Sequence, residues 1–321
     1  MARIIRAPAA EADAVEIWAY IAEDNPAAAS ERRSMIHPPP LLTRILKTAL
    51  RTLLIIALAI ITPLLLFQSK LIYHPRHYTV EAAARNPDLI PLAYTTSQGA
   101  QQSYYLPPQN PQDQQHQPPR HLWVLFAGNG SLALDWLYFL DPAPDPRDGY
   151  LLIEYPGYGA CQGSPSPKAI QESAEAAFAS LADLLHTKPA ALDGNVNLLC
   201  LSIGCGAGLN FAIHHPVDRI VLLAPFTCMR DMARRVVGWP LCWLLLHNFD
   251  NNARLAELAS RAHPPCVTIF HGEEDQTIPI SMGRRLASGY PAMITFQAVP
   301  GAGHNTVLGA SVSQISALMR P

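Results

Sequence analysis

Between residues 122 and 300 the chain repeats one theme, a short apolar run followed in most cases by a stretch of helical periodicity. The runs are LWVLFAG (122–128), YLLIEYP (150–156), NLLCLSI (197–203), RIVLLAP (219–225), CVTIFHG (266–272) and ITFQAVP (294–300). Several are apolar almost without interruption, as strands covered on both faces must be. Helical patterns fill the gaps at 167–186, 203–214, 280–288 and 308–319. The first has Ser166 placed as N-cap and Pro167 at the first helical position. Upstream, LAYTTSQ and QSYYL alternate and predict a leading hairpin. This order restricts the fold to the α/β class with a mostly parallel, doubly wound sheet. Functional sites in such sheets lie beyond the carboxyl ends of the strands. With 49% hydrophobic and 15% charged residues, the 321-residue chain can build a large core and falls outside the wholly disordered class. A formal net charge of −2 offers no basic excess to neutralise phosphates, so nucleic acid is not an expected partner. The six cysteines form no CxxC pair, which leaves a zinc or redox motif without support and makes most of them candidate small core residues.

Residues before the repeating region divide differently. Thr52–Phe67, TLLIIALAIITPLLLF, carries no charge and would extend roughly 24 Å as a helix. Extending it back to Ala49 with Arg51 snorkelling brings it near the ~30 Å of a hydrocarbon core. Arg44, Lys47 and Arg51 flank one end and Lys70 the other, and QSKLIYHP beyond it holds no small-x-small cleavage site. An uncleaved signal-anchor over residues 49–68 is therefore expected. Five basic residues precede it (Arg32, Arg33, Arg44, Lys47, Arg51) and three follow (Lys70, Arg76, Arg85). That imbalance favours an inside N terminus and an exported, periplasmic C-terminal domain; counted from Met35 it becomes three against three.

Residues 1–34 have a short strand pattern and an amphipathic helix pattern with Ala14, Ile17, Trp18 and Ile21 on one face. They resemble the opening of ParE/RelE-type toxins. The sheet that completes such a toxin is missing, so toxin activity is not expected. The segment reads as a gene-fusion or start-site artefact with Met35 as the natural start; a functional N-terminal extension is the alternative. Residues 107–119, PPQNPQDQQHQPP, are ten-thirteenths Pro or Gln and read as a solvated loop inserted within one domain.

The chemistry-bearing residues fall at strand ends. NLLCLSI runs directly into IGCGAGLNFA, placing Ser202 on a sharp strand-to-helix turn flanked by Cys200 and Gly204. The signature is C-x-S-x-G where G-x-S-x-G is usual. A serine hydroxyl needs a base, and His304 in VPGAGHNTV follows the last strand. Asp275 in FHGEEDQTIP is the candidate acid to orient it, with Asp250 a weaker competitor and Glu273 and Glu274 a solvated face. Two backbone N–H donors are needed for an oxyanion: Ile203 at a helix N-terminus, and Asn129 in the loop after LWVLFAG.

With these residues in place, some 250 positions from about Ile72 onward resemble the membrane-anchored alpha/beta-hydrolases of the alpha/beta-hydrolase-domain-containing and serine-aminopeptidase-like group. LIYHPR resembles the aromatic-Pro-Arg stretch after their anchor, YPGYGACQGSPSP their strand-four loop, LLAPFTCMRDMA and HNFDN the segments after strand six, and HGEEDQTIP and PGAGHN the acid and base loops. The resemblance implies an alpha/beta-hydrolase domain over 72–321, preceded by one membrane helix. It implies a serine hydrolase acting on ester or thioester bonds, with Ser202, Asp275 and His304 as its triad and Asn129 and Ile203 as its oxyanion donors. Neither a metal nor an organic cofactor is implied. Cys200, and Ala127 in place of a usual histidine, depart from the pattern. Residues 229–251, rich in Val, Trp and Leu, occupy the place of a small helical lid, which suits a small-molecule or lipid-like acyl substrate; buried packing of an excursion helix explains the same residues. A serine peptidase using the same machinery and a catalytically inactive, membrane-tethered binding protein are the rival readings.

Overall fold

The structure, a computed structural model, describes residue 17 and residues 41–78, 88–109, 118–141 and 143–320. The reading of residues 1–34 falls outside these, Ile17 excepted, as does most of the Pro/Gln-rich 107–119 segment. Two compact units are present, Met1–Pro63 and Leu64–Pro321.

The first described helix, α1 (Leu41–Leu66), is 26 residues long with a mean hydropathy of 2.4 in its most apolar window, long and apolar enough to cross a membrane. It starts eight residues before the expected 49–68 span. Arg44, Lys47 and Arg51 are good helix formers and do not interrupt a helix, although they interrupt an apolar run. A short helix α2 (Gln68–Ile72) follows.

The second unit contains one eight-stranded sheet among the described residues. Its strands are β1 (Ile90–Thr96), β2 (Gly99–Leu106), β3 (Leu122–Phe126), β4 (Gly149–Ile153), β5 (Val196–Leu201), β6 (Arg219–Leu223), β7 (Cys266–Gly272) and β8 (Ile294–Val299). Their order is β1-β2-β4-β3-β5-β6-β7-β8. The expected hairpin is the antiparallel β1–β2 pair, β2 joins β4 antiparallel, and every pair from β4 to β8 is parallel. The Pro/Gln-rich segment connects β2 to β3 within this sheet.

Strand periodicity sorts the core into two layers. Val124, Phe126, Leu198, Cys200, Ile220 and Leu222 pack on one face, and Trp123, Leu125, Leu199, Val221 and Leu223 on the other. The first face is covered by α4 (Pro167–Leu184), through Ile170, Ala174, Phe178 and Leu181, and by α6 (Ile203–Ala212). A short α3 (Leu137–Leu140) and the following β4 precede α4, and α5 (Pro189–Leu192) follows it. The N-cap of α4 is Ser166, whose Oγ accepts from the Ala169 N–H, with Pro167 at the first turn as the sequence predicts. The other face carries α10 (Val307–Met319) through Val307, Ile315 and Met319. Between these lie α7 (Met229–Val237), α8 (Asn251–Ala259) and α9 (Ile280–Gly289). Helix α8 has no counterpart in the sequence reading, because it is only 9 residues long and Leu255 and Leu258 are its buried apolar residues. Of the cysteines, Cys161, Cys200, Cys205 and Cys242 are buried, Cys228 is partly buried and Cys266 is exposed, and all are free thiols.

Candidate active site

Four connections leave the carboxyl ends of β3, β5, β7 and β8, and three of them converge. Ser202 is the residue between β5 and α6, with φ 56° and ψ −118°, a backbone that a side chain other than glycine's adopts at a cost of roughly 1–3 kcal/mol. Tertiary contacts hold it there. The Ser202 N–H donates to the Leu223 carbonyl at 2.8 Å, tying the turn to β6. Gly204 is required for close approach: a Cβ on it would lie 2.3 Å from the Phe126 carbonyl oxygen and 2.6 Å from that of Ala127. Cys200, the departure from the usual glycine, is fully buried, and its Sγ fills the space over Gly208, where an added Cβ would sit 2.3 Å from the sulfur. The extra thiol is thus accommodated by a third glycine further along α6.

His304 Nε2 lies 2.9 Å from Ser202 Oγ, and His304 Nδ1 lies 2.8 Å from Asp275 Oδ2. An ionised carboxylate can only accept, so the proton in the second contact sits on Nδ1, and Nε2 is left to accept from the serine hydroxyl. Asp275 Oδ1 accepts from the N–H groups of Thr277 and Ile278 at 2.9 and 2.8 Å. Burial by itself acts to raise the Asp275 pKa. Hydrogen bonds from His271, His304 and the Ile278 N–H outweigh it and hold the carboxyl below the usual range. The carboxylate therefore stays charged behind the imidazole. Asp250, the competing acid, is instead the N-cap of α8, accepting from the Ala253 N–H at 3.0 Å. Glu273 and Glu274 are exposed, as the sequence predicts.

His271, on β7, has no mark in the sequence as a site residue. It is fully buried, its Nε2–H donates to the Ile278 carbonyl at 2.8 Å, and the same nitrogen stands 3.4 Å from Asp275 Oδ2. The acid loop is thereby closed around Asp275 from both sides.

The Ile203 N–H belongs to the first turn of α6, where no intrahelical carbonyl faces it. Asn129 is held more elaborately than the sequence suggests. Its Oδ1 accepts from the His74 N–H at 3.0 Å and from the Tyr158 hydroxyl at 2.9 Å, while its Nδ2 donates to the Ile72 carbonyl at 2.6 Å. The side chain is fully engaged in holding the 128–132 loop, which leaves the backbone of that loop as the part that can face a substrate. Arg76 reinforces it, donating to the Gly130 carbonyl at 3.2 Å and to Asp135 Oδ2 at 2.9 Å. Tyr155 donates to the Ala127 carbonyl at 2.7 Å. Glu154, just past β4, is almost wholly buried, bonded to the Tyr78 hydroxyl and accepting from the Ala133 N–H at 3.2 Å. Burial pushes its pKa up to about 8, against the downward pull of those hydrogen bonds. LIYHPR and IEYPGYG therefore matter because they buttress the loop after β3. Their tyrosines, with Arg76, are the available signal.

No family model matches the chain. It is 30% identical over 156 residues to the uncharacterized protein Rv2307c of Mycobacterium tuberculosis, covering 48% of this chain and 52% of that one. It is 29% identical over 154 residues to human alpha/beta hydrolase domain-containing protein 17B (48% and 49%). It is 26% identical over 155 residues to the zebrafish lysophosphatidylserine lipase ABHD12 (43% and 39%). The chain thus spans about half or less of the length of the curated relatives it matches. Among solved structures, an alpha-beta hydrolase from Vibrio vulnificus superposes with a TM-score of 0.55 at 17% identity, over 74% of this chain and 84% of that one. Sheet order, strand-to-helix turn and these likenesses agree that the chain has the alpha/beta-hydrolase fold.

Proposed function

We propose that the protein is a membrane-anchored serine hydrolase that cleaves carboxylic ester or thioester bonds through an acyl-enzyme. Ser202 attacks the carbonyl carbon while His304 Nε2 takes its proton, and Asp275 holds the imidazole and balances its charge. The backbone N–H groups of Ile203 and Asn129 stabilise the oxyanion. His304 then returns the proton to the leaving group, and water attacks the acyl-serine by the same route in reverse. The observation that carries this reading is the chain of contacts from Asp275 through His304 to Ser202, at 2.8 and 2.9 Å, joining the ends of three strands. Helix α1 serves as the anchor, its basic flank on the inside and residues 72–321 on the exported side. Residues 229–251 form a lid with an apolar inner side, and the lipase among the relatives supports a lipid-like acyl substrate.

The test is labelling of the full chain by a fluorophosphonate probe. Wild-type protein is expected to label and Ser202→Ala to lose the label, with a fall in kcat of order 10⁴–10⁶ on a p-nitrophenyl ester. Undiminished labelling of the variant would refute the assignment.

A further inference from the structure

An apolar groove of about 390 Å³ runs beside the lid, within the range of roughly 300–1,000 Å³ typical of small-molecule sites. One wall is Leu64, Leu71 and Ile72, the residues at and just after the end of α1; the other is Met232, Val236 and Val237 of α7. His74 also lines it; its N–H bonds Asn129 Oδ1, and its Cβ lies 3.8 Å from a Cβ placed on Gly130. His74 therefore borders both the groove and the loop proposed to hold the oxyanion.

A polar clamp fixes which side of the lid meets the Leu64–Ile72 segment. Gln68, buried and only two residues beyond α1, donates through Nε2 to the Leu244 carbonyl at 2.7 Å and accepts through Oε1 from the Leu246 N–H at 2.7 Å. A helix of this kind ends at the bilayer surface, so the 244–246 turn is held at that surface too. The side chains around it suit the position. Val236, Trp239, Trp243 and Leu246 are between 62% and 83% exposed, unusual for residues of this size in water. Arg234 and Arg235 are exposed in the last turn of α7, and the Arg230 guanidinium lies 4.6 Å over the Trp243 ring. Tryptophan belongs to the headgroup layer, and arginine beside it attracts anionic lipid.

We infer that the groove takes the acyl chain of a bilayer-resident lipid directly from the membrane, with α7 and the 239–246 segment resting on the headgroups as a second membrane contact. This rests on the proposed hydrolase and anchor. The apolar chain enters at Leu64 and runs towards His74, which brings its carbonyl to the 128–130 loop; the headgroup stays on the side of Arg234 and Arg235. A soluble ester with a short acyl part has no use for the groove.

The experiment compares two substrates on the full chain reconstituted in phosphatidylcholine vesicles with a minor share of phosphatidylserine: palmitoyl lysophospholipid in the bilayer and p-nitrophenyl acetate in solution. Ala233→Trp and, independently, Met232→Trp fill the groove from α7. Either is expected to lower hydrolysis of the long-chain lipid at least about tenfold and to leave acetate hydrolysis within about twofold. Paired Trp239→Ser and Trp243→Ser is expected to raise the lipid concentration needed for half-maximal rate without changing the acetate rate. Equal losses on both substrates by both filling variants, or no loss on the lipid, overturns the inference. Absence of acetate hydrolysis and of probe labelling in the wild type would instead bring down the hydrolase reading. Quenching of tryptophan fluorescence by lipids brominated along their acyl chains, reduced in Trp239→Phe/Trp243→Phe, reads the membrane contact without turnover; a signal unaffected by that pair also overturns it.

Discussion

The Glu154 carboxyl offers a quantitative test of how the site is buttressed. In the folded chain it keeps its proton up to about pH 8, whereas an ordinary glutamate loses it near 4.5. Between those values the folded chain binds more protons than the unfolded one, so unfolding free energy falls as pH rises. The stabilisation is complete below about pH 4.5 and gone above about 8, and linkage converts the separation into roughly 5 kcal/mol. Glu154→Gln is the appropriate perturbation. Glutamine matches the neutral acid in shape, still accepts from the Ala133 N–H and does not titrate. Equilibrium urea unfolding of the detergent-solubilised chain, followed by tryptophan fluorescence from about pH 5 to 9, gives both profiles. The wild type is expected to lose stability relative to Glu154→Gln by roughly 1 kcal/mol per pH unit up to about pH 8, after which the two profiles run parallel. Parallel profiles across the whole range would show that Glu154 is ionised throughout and that burial does not govern it.

Other substitutions probe other contacts. Asp275→Asn is expected to leave the fold intact and to lower kcat on a p-nitrophenyl ester about 10⁴-fold, because the amide favours the wrong imidazole tautomer; a loss under about tenfold would contradict the role given to Asp275. Gly204→Ala forces a Cβ against the Phe126 and Ala127 carbonyls, and Phe126 cannot move without breaking β3 from β5. Because Phe126, the nearer of the two, is paired with Cys200 of β5, a stability loss of more than about 1 kcal/mol with loss of probe labelling is expected in urea unfolding and gel assays. His215 contacts Asp193 and Glu175 at 2.7 and 2.9 Å; burial lowers its pKa, but those carboxylates raise it further, so the net shift is upward. Its stabilising charge is present below the unfolded value of 6.5 and fades as pH climbs through the folded one. His215→Asn should therefore lower Tm more at about pH 6 than at about pH 9, and an equal decrement at both would refute the charged state.

Much of the fold is legible in the chain because its signals are local. Uninterrupted apolar runs such as IVLL of β6 have no solvent-facing alternate, so they demand cover on both faces, and the two core layers supply it. Ser166-Pro167 marks a helix start by chemistry confined to four residues. Ser202 stood out because a strand ends on it and a glycine-rich helix begins. Helix α8 and the early start of α1 are less legible for different reasons: α8 is only 9 residues long with two buried apolar side chains, and in α1 charges interrupt an apolar run but not a helix.

By itself the sequence determined the alternation of strands with helices, the apolar helix before them, and a serine and a histidine at strand ends with more than one acid to choose from. Only the tertiary structure decided which acid faces the histidine, since Asp250 and Asp275 differ in what surrounds them and not in composition. It also decided that Glu154 is buried beneath Ala133 and that Gln68 clamps a turn 178 residues away. Propensity acts over a few residues, whereas the hydroxyl–imidazole contact spans 102 and exists because packing the sheet places the ends of β5 and β8 within reach.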